Sequence, residues 1–232
     1  ASEWRRAVEL LDQVVTLDPG YGDASQLLRL AMAEQQLADL GQQAERAFEA
    51  GRWHEAIEAL RTILDARPDY PHAQARLIEA NRQRQISESL AEGIQGLKTQ
   101  QWLEAMVCFE EVLALDPSHR RAQELLDQAT SEQDLDELYK QAQQAIRNRQ
   151  WGEAEAALQQ IYSLRQDYRD AVTLLEYVRL RSQLSSLYTQ GQQARELGRE
   201  SEAIAAFEQI MDLDPHFRDV ASQLRDERGT PR

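Results

Sequence analysis

One residue type frames this chain: Trp4, Trp53, Trp102 and Trp151 stand each 49 residues after the last, and a further step of that length lands on Glu200. A fixed period in this range marks an array of like supersecondary units, in which neighbours supply the core that no unit holds alone. Other residues keep the beat. Pro19, Pro68, Pro117 and Pro215 are in register, with Gln166 in the fourth slot. Ala7, Ala56, Ala105, Ala154 and Ala203 stand three residues after the tryptophan position, and Val14, Ile63, Val112, Ile161 and Ile210 stand ten after it. Beyond the proline come Tyr21, Tyr70, His119, Tyr168 and Phe217, then a small residue (Ala24, Ala73, Ala122, Ala171, Val220), then Leu28, Leu77, Leu126, Leu175 and Leu224. Whole units have been duplicated.

Within a unit the apolar spacing is helical. In the third copy Trp102, Ala105, Phe109, Val112 and Leu113 recur at three and four residues, which predicts one face of a helix of about 14 residues. Pro117 closes it, because proline disfavours helical geometry at Asp116 and has no N–H to continue the ladder. From about residue 120 to 148 there is neither Gly nor Pro, which predicts a second helix of about 28 residues, about 42 Å long against about 21 Å for the short one. Composition agrees: 10 Gly and 6 Pro among 232 residues, in a chain dominated by Ala, Leu, Gln, Glu and Arg, favour helix over strand. The expected fold is all-α, with long and short helices alternating. A 49-residue period is also seven heptads, but the prolines exclude one continuous coiled coil. Stacking of units into an α-solenoid remains.

The short helix and the second half of the long one carry a further pattern. It consists of a small pair in the long helix (Ala44 and Ala47, Gly93 and Gly96, Ala142 and Ala145, Gly191 and Ala194), then Gly51 or Gly198, the tryptophan, the alanine and the closing proline. In the second copy this reads Gly51-Arg-Trp53-His-Glu-Ala56-Ile, with Pro68 twelve residues after Ala56. The pattern resembles the tetratricopeptide repeat, a 34-residue helix–turn–helix unit, and covers five second helices and four first helices. The resemblance implies a right-handed α-solenoid. The chain departs from it in period, by 15 residues beyond the family's 34, so the first helix is extended at its N-terminal end by about four turns. The extensions carry polar runs, Glu34-Gln35-Gln36, Arg82-Gln83-Arg84-Gln85, Ser131-Glu132-Gln133-Asp134 and Arg181-Ser182-Gln183, and either pack loosely or bend there. One repeat domain over 1–232 is expected, with units at 1–19 (second helix only), 20–68, 69–117, 118–166, 167–215 and 216–232. The last, through the polar segment from Arg225 to Arg232, reads as the truncated start of a further long helix, so the chain is expected to be a fragment of a larger protein.

Chemistry is sparse. The net charge of −14, from 26 basic and 40 acidic side chains, disfavours nucleic acid, whose affinity rests on Lys and Arg neutralising phosphates. No apolar run approaches the roughly 20 residues that span a bilayer, and Ala1-Ser2-Glu3-Trp4-Arg5-Arg6 opens no signal peptide. Cys108 is the only cysteine, which points to a reducing, cytoplasmic setting and reads as a buried core residue rather than a nucleophile. A preference for arginine over Lys98 and Lys140, the only lysines, suggests a GC-rich coding genome. The glycines form no phosphate-binding loop. In His54-Glu55-Ala56-Ile57-Glu58 the second histidine of a zinc helix is missing, and His54, His72, His119 and His216 share no ligand spacing. The carboxylate groups Glu110-Glu111 and Asp134, Asp136, Glu137 read as exposed charge. No catalytic, cofactor-binding or metal-ligating residue is assigned, and the chain is expected not to be an enzyme.

The resemblance also says where a partner would sit. In that family first helices line the concave surface and hold partners through positions outside the core. Here these are Glu45, Phe48 and Glu49; Ile94, Leu97 and Lys98; Gln143, Ile146 and Arg147; and Gln192, Arg195 and Glu196. Phe48, Leu97 and Ile146 share one repeat slot and form either a binding stripe or core between repeats. The family's carboxylate-clamp slots hold Gly41, Leu90, Tyr139 and Tyr188, so that clamp is not expected. The tryptophans read as packing. Tyr139, Tyr177 and Tyr188 do not recur in every copy, and non-recurrent residues are where a repeat protein carries specificity. The expected function is a scaffold binding a protein or peptide. Alternatives are a spacer or homo-oligomerising arm that pairs through the extensions and, on the resemblance alone, the regulatory region of a bacterial signalling or defence enzyme.

Overall fold

The computed structural model describes residues 2–229, so Ala1 and residues 230–232 of the polar tail lie outside the described residues. The described residues form ten α-helices and no strand. They are α1 (Ser2–Leu17), α2 (Ala24–Glu49), α3 (Trp53–Ala66), α4 (Ala73–Lys98), α5 (Trp102–Leu115), α6 (Arg120–Arg147), α7 (Trp151–Leu164), α8 (Ala171–Glu196), α9 (Glu200–Leu213) and α10 (Val220–Gly229). Long and short helices alternate, as the register predicts. The helices α3, α5, α7 and α9 have 14 residues each.

The long helices are shorter than expected in three of four cases: α2, α4 and α8 have 26 residues, and α6 has 28. Backbone just ahead of the shorter ones explains the difference. Gly22, His72 and Arg169 take left-handed φ values of 46°, 62° and 47°, which a right-handed helix cannot include. At α6 the imidazole Nδ1 of His119 instead accepts the N–H of Ala122 at 3.1 Å, and helix begins at Arg120.

The two kinds of turn repeat as closely as the helices do. After each long helix one residue is left-handed, Gly51 (φ 68°), Gln100 (61°), Arg149 (59°) and Gly198 (69°). The next N–H then reaches back to an orphan carbonyl of the helix end: Arg52 to Ala47 at 2.8 Å, Gln101 to Gly96 at 2.9 Å, Gln150 to Ala145 at 2.9 Å and Arg199 to Ala194 at 2.8 Å. This is the Schellman arrangement. After each short helix the chain turns extended, at Arg67, Asp116, Arg165 and Asp214. Proline favours that geometry in the residue before it, yet Arg165 adopts it ahead of Gln166. Packing fixes the turn, and proline reinforces it.

The described residues fall into two compact units that divide between Ala129 and Thr130, inside α6. In the first, α1 packs on α2, α2 on α3, α3 on α4 and α4 on α5; in the second, α7 packs on α8, α8 on α9 and α9 on α10. Each of α3, α5, α7 and α9 is held from both sides. Around α3 one cluster joins Leu37, Ala44 and Ala47 of α2, Ala56, Leu60 and Ile63 of α3, and Ala73 and Ala80 of α4. Around α7 another joins Leu135 and Ala142 of α6, Leu158 and Ile161 of α7, and Leu175 and Val178 of α8. A long helix therefore has two jobs. Its first half covers the short helix before it, and its second half covers the short helix after it, which accounts for the extra length.

The polar runs of the extensions do not interrupt their helices, and they make contacts of their own. Glu34 and Arg67 form a double ion pair with one contact at 3.0 Å. Arg165 meets Glu132 at 2.7 Å and Arg181 meets Asp214 at 3.2 Å. All three join one slot of the extension to the residue that ends the next short helix. The sign is reversed in the last. In the second copy the pair is absent, Gln83 standing opposite Asp116 in register, and Arg82 donates to the Leu115 carbonyl at 3.4 Å instead. These half-buried pairs contribute about 1 kcal/mol or less each; their use is to fix register.

Side-chain volumes match across the long–short contact. The slot of Ala44, Gly93, Ala142 and Gly191 faces that of Leu60, Phe109, Leu158 and Phe207. A Cβ on Gly93 would lie 2.5 Å from Phe109 Cε1, and one on Gly191 2.6 Å from Phe207 Cε1, so glycine goes with phenylalanine and alanine with leucine. Gly93→Ala is expected to destabilise the protein by about 1–3 kcal/mol, although alanine is the better helix former by about 1 kcal/mol. Phe109→Leu added to it should recover most of the loss. Thermal or urea unfolding measures both, and unchanged stability in the single variant would mean that the ring leaves room.

Candidate protein-binding surface

The long-helix residues expected to meet a partner divide by exposure. Glu49, Lys98, Arg147 and Glu196 share one repeat slot, and all four are exposed. On the buried side of the same turns stand Ala44 and Ala47, Gly93 and Gly96, Ala142 and Ala145, and Gly191 and Ala194. Phe48, Ile94, Leu97 and Ile146 are half-buried and pack against the core of their own layer. Phe48 is further enclosed, by the edge of Trp53 at 5.2 Å and by the Arg76 guanidinium 4.8 Å over its ring. Arg76 also pairs with Glu45 at 3.1 Å. Gln192 donates to Gln223 at 2.7 Å, Gln143 is half-buried beside Tyr139, and Arg195 is exposed. Two grooves border these residues. In the first unit Glu45 and Glu49 line one of about 440 Å³ with Gly41 and Tyr70. In the second, Arg147 lines one of about 800 Å³ with Lys140, Gln144, Glu153 and an alanine floor of Ala156 and Ala157.

The second unit also carries arginine–aromatic clusters that the register did not reveal. Arg169 lies 4.9 Å over the Tyr139 ring and 5.0 Å over the Tyr168 ring, and pairs with Asp136 at 2.7 Å. Arg218 lies 4.4 Å over Tyr188 and 5.2 Å over Phe217. The tyrosine hydroxyls reach across, Tyr139 to Asp170 at 2.5 Å and Tyr188 to Asp219 at 3.1 Å. The signal in the sequence was the Tyr/Asp spacing of 31, present only in the last two copies, together with an arginine directly after Tyr168 and Phe217. The hydrogen bond to the Asp170 carboxylate, with burial, pushes the Tyr139 hydroxyl above its ordinary pKa. Burial disfavours the charged form of Asp136, but the Lys140 ammonium at 2.7 Å and Arg169 outweigh it and hold the carboxyl below its ordinary pKa.

Cys108 is half-buried rather than fully buried, because it stands at the edge of the α5 core face; burial pushes its thiol up, away from the reactive thiolate. Two of the tryptophans are partners of neighbouring side chains, Trp53 Nε1 donating to Ser87 Oγ at 3.0 Å and Trp151 meeting Tyr177 edge-on at 6.3 Å, whereas Trp4 is exposed. Among the described residues no three His, Cys, Asp or Glu side chains group as metal ligands would. No described helix is long and apolar enough to cross a membrane.

With this geometry in place, the comparison with protein families is direct. Residues 42–92 and, separately, residues 184–217 match the tetratricopeptide repeat. No curated protein matches the chain. The matched stretches start in the second half of a long helix and run through the following short helix, and together with the helix-on-neighbour packing within each unit they support a tetratricopeptide-like repeat protein, consistent with an α-solenoid. Repeats of this family generally mediate protein–protein interaction.

The Asp136 pairs give a pH signature. A carboxyl whose folded pKa is lowered adds stability that is complete above its unfolded value, near 4, and is lost as pH falls through the folded value. Asp136→Asn is therefore expected to cost about 1–3 kcal/mol at pH 7. The gap to the parent should narrow as pH is taken below about 4. Urea unfolding across that range reads the gap, and a constant difference would mean the carboxylate charge contributes nothing.

Proposed function

We propose that the chain is a non-catalytic, cytoplasmic protein-interaction scaffold that holds a peptide or protein surface on the second halves of its long helices. One observation carries this reading. Glu49, Lys98, Arg147 and Glu196 are all exposed and are acidic in two copies and basic in two, while the slots two and five residues before them are filled by small buried residues. Packing constrains those neighbours and leaves this slot to vary, which is how an array of like units presents an address. The half-buried Phe48, Leu97 and Ile146 supply apolar edges beside it. Outside local clusters of arginine, the acidic balance favours basic or neutral protein partners.

A second reading, association of chains through the extensions, is favoured by apolar side chains left in solvent there: Leu27, Leu30, Ile78 and Val172 are between 40% and 62% exposed. Association of chains would take these side chains out of water.

Charge reversal on the exposed slot tests the first reading without disturbing the core. A tagged chain carrying Glu49→Arg, Lys98→Glu and Arg147→Glu, shown by circular dichroism to keep its helicity, is expected to lose the partner that the parent captures from its native cell. Retention of that partner by the triple variant would exclude this face. Light scattering tests the second: a mass of 26.6 kDa at all concentrations would remove chain association.

A further inference from the structure

A depression in the second unit lies away from the exposed slot of the long helices. It has a volume of about 490 Å³ and is bounded by the turn after α6, the middle of α8 and the turn between α9 and α10. Its aromatic wall is Trp151 against Tyr177, with Phe217 also lining it. Its charge is unbalanced: Arg149, Arg181 and Arg218 line it, with His216, against a single carboxylate, Asp214. That carboxylate is taken by Arg181. Among the described residues, neither Arg149 nor Arg218 has a carboxylate at ion-pair distance, and Asp219, next to Arg218, is held by Gln223 at 2.6 Å and Tyr188 at 3.1 Å.

Comparison between copies makes the two arginines conspicuous. Arg149 has φ 59° where the first and last long-to-short turns have Gly51 and Gly198 and the second has Gln100, and Arg218 has φ 49° where the first copy has Gly22. Glycine takes left-handed backbone freely, whereas a residue with a side chain takes it at some cost. Arg169, in the same slot as Arg218, is neutralised by Asp136. The residue equivalent to Asp136 one copy later is Ser185, so the fourth copy keeps the arginine and lacks the acid that answers it.

We propose that this pocket binds an acidic peptide segment, with a side-chain carboxylate held by Arg149 and Arg218 and an adjoining apolar group against Trp151 and Tyr177. A guanidinium fork matches a carboxylate in two hydrogen bonds. The volume, near the lower end for ligand pockets, suits one or two side chains. A long polyanion would meet the net charge of −14 on the rest of the chain. The inference rests on the reading of the chain as a peptide-binding scaffold and names a second contact, separate from the exposed slot of the long helices.

The test is fluorescence anisotropy with a fluorescein-labelled Glu-Glu-Phe-Glu-Glu peptide on the full chain. Saturable binding that weakens with added salt is expected. Arg149→Glu and Arg218→Glu should each weaken it about tenfold or more. Arg149→Gly, which installs the glycine of the sister copies and so cannot strain the fold, should weaken it as well. Arg121→Glu, on α6 in the first unit, should leave it unchanged. Four outcomes would overturn the inference: no saturable binding to the parent, an equal loss with Arg121→Glu, full displacement by an equal concentration of inorganic phosphate, or indifference to all three pocket variants. A peptide that ignores the pocket variants but is lost with Glu49→Arg, Lys98→Glu and Arg147→Glu would overturn this inference alone and leave the scaffold reading standing.

Discussion

The two units depend on how closely a short helix can approach the second half of the long helix before it. The contact is made by small residues on both sides, Ala47 with Ala56, Gly96 with Ala105, Ala145 with Ala154 and Ala194 with Ala203, and all of these alanines lie at 7% exposure or less. A Cβ on Gly96 would sit 3.1 Å from that of Ala105, so even the alanine copies are near the limit. Close backbone approach lets one turn later carry the bulky pairs, Phe109 and Phe207 against glycine. With the short helix seated on that side, its other side is open, and the next long helix must start early enough to cover it. The 26-residue length follows from that demand rather than from helix propensity.

Most of this was legible because it is periodic. The tryptophan, alanine and β-branched slots recur at the spacing of one helix face, and the short helices begin at Trp53, Trp102, Trp151 and Glu200. The length of the long helices was overestimated because a left-handed residue has no signature in apolar spacing; His72 and Arg169 look like any polar residue before a helix. The mid-helix polar runs were read as loose or bent, yet Glu34, Glu132 and Arg181 are paired. Their partners lie 33 residues on, beyond the reach of local pattern, and only the stacked neighbour brings them together.

The same limit explains what was missed at the surface. Tyr139 and Tyr188 stood out as non-recurrent, but the arginines that cover them come from a turn after the next short helix. Their significance depends on what else is near: the guanidinium of Arg169 is answered by Asp136, whereas the equivalent position beside Arg218 is Ser185. Sequence periodicity finds what the copies share. Chemistry resides where they differ, and the differences acquire meaning only when the fold has chosen their neighbours.

One such difference bears on how an array of this kind changes over time. The pair formed by Glu34 with Arg67 and by Glu132 with Arg165 reappears with its signs exchanged as Arg181 with Asp214. Unequal recombination between duplicated stretches of a gene can remove or add one period anywhere along its length. A break outside a pair leaves both charges with their proper mates. A break within the span from Glu132 to Asp214 that drops one period joins Glu132 to Asp214, acid against acid, at a site where both side chains are mostly covered. The sign exchange thus makes some crossovers harmless and others costly, and it restricts the points at which the array can shrink or grow.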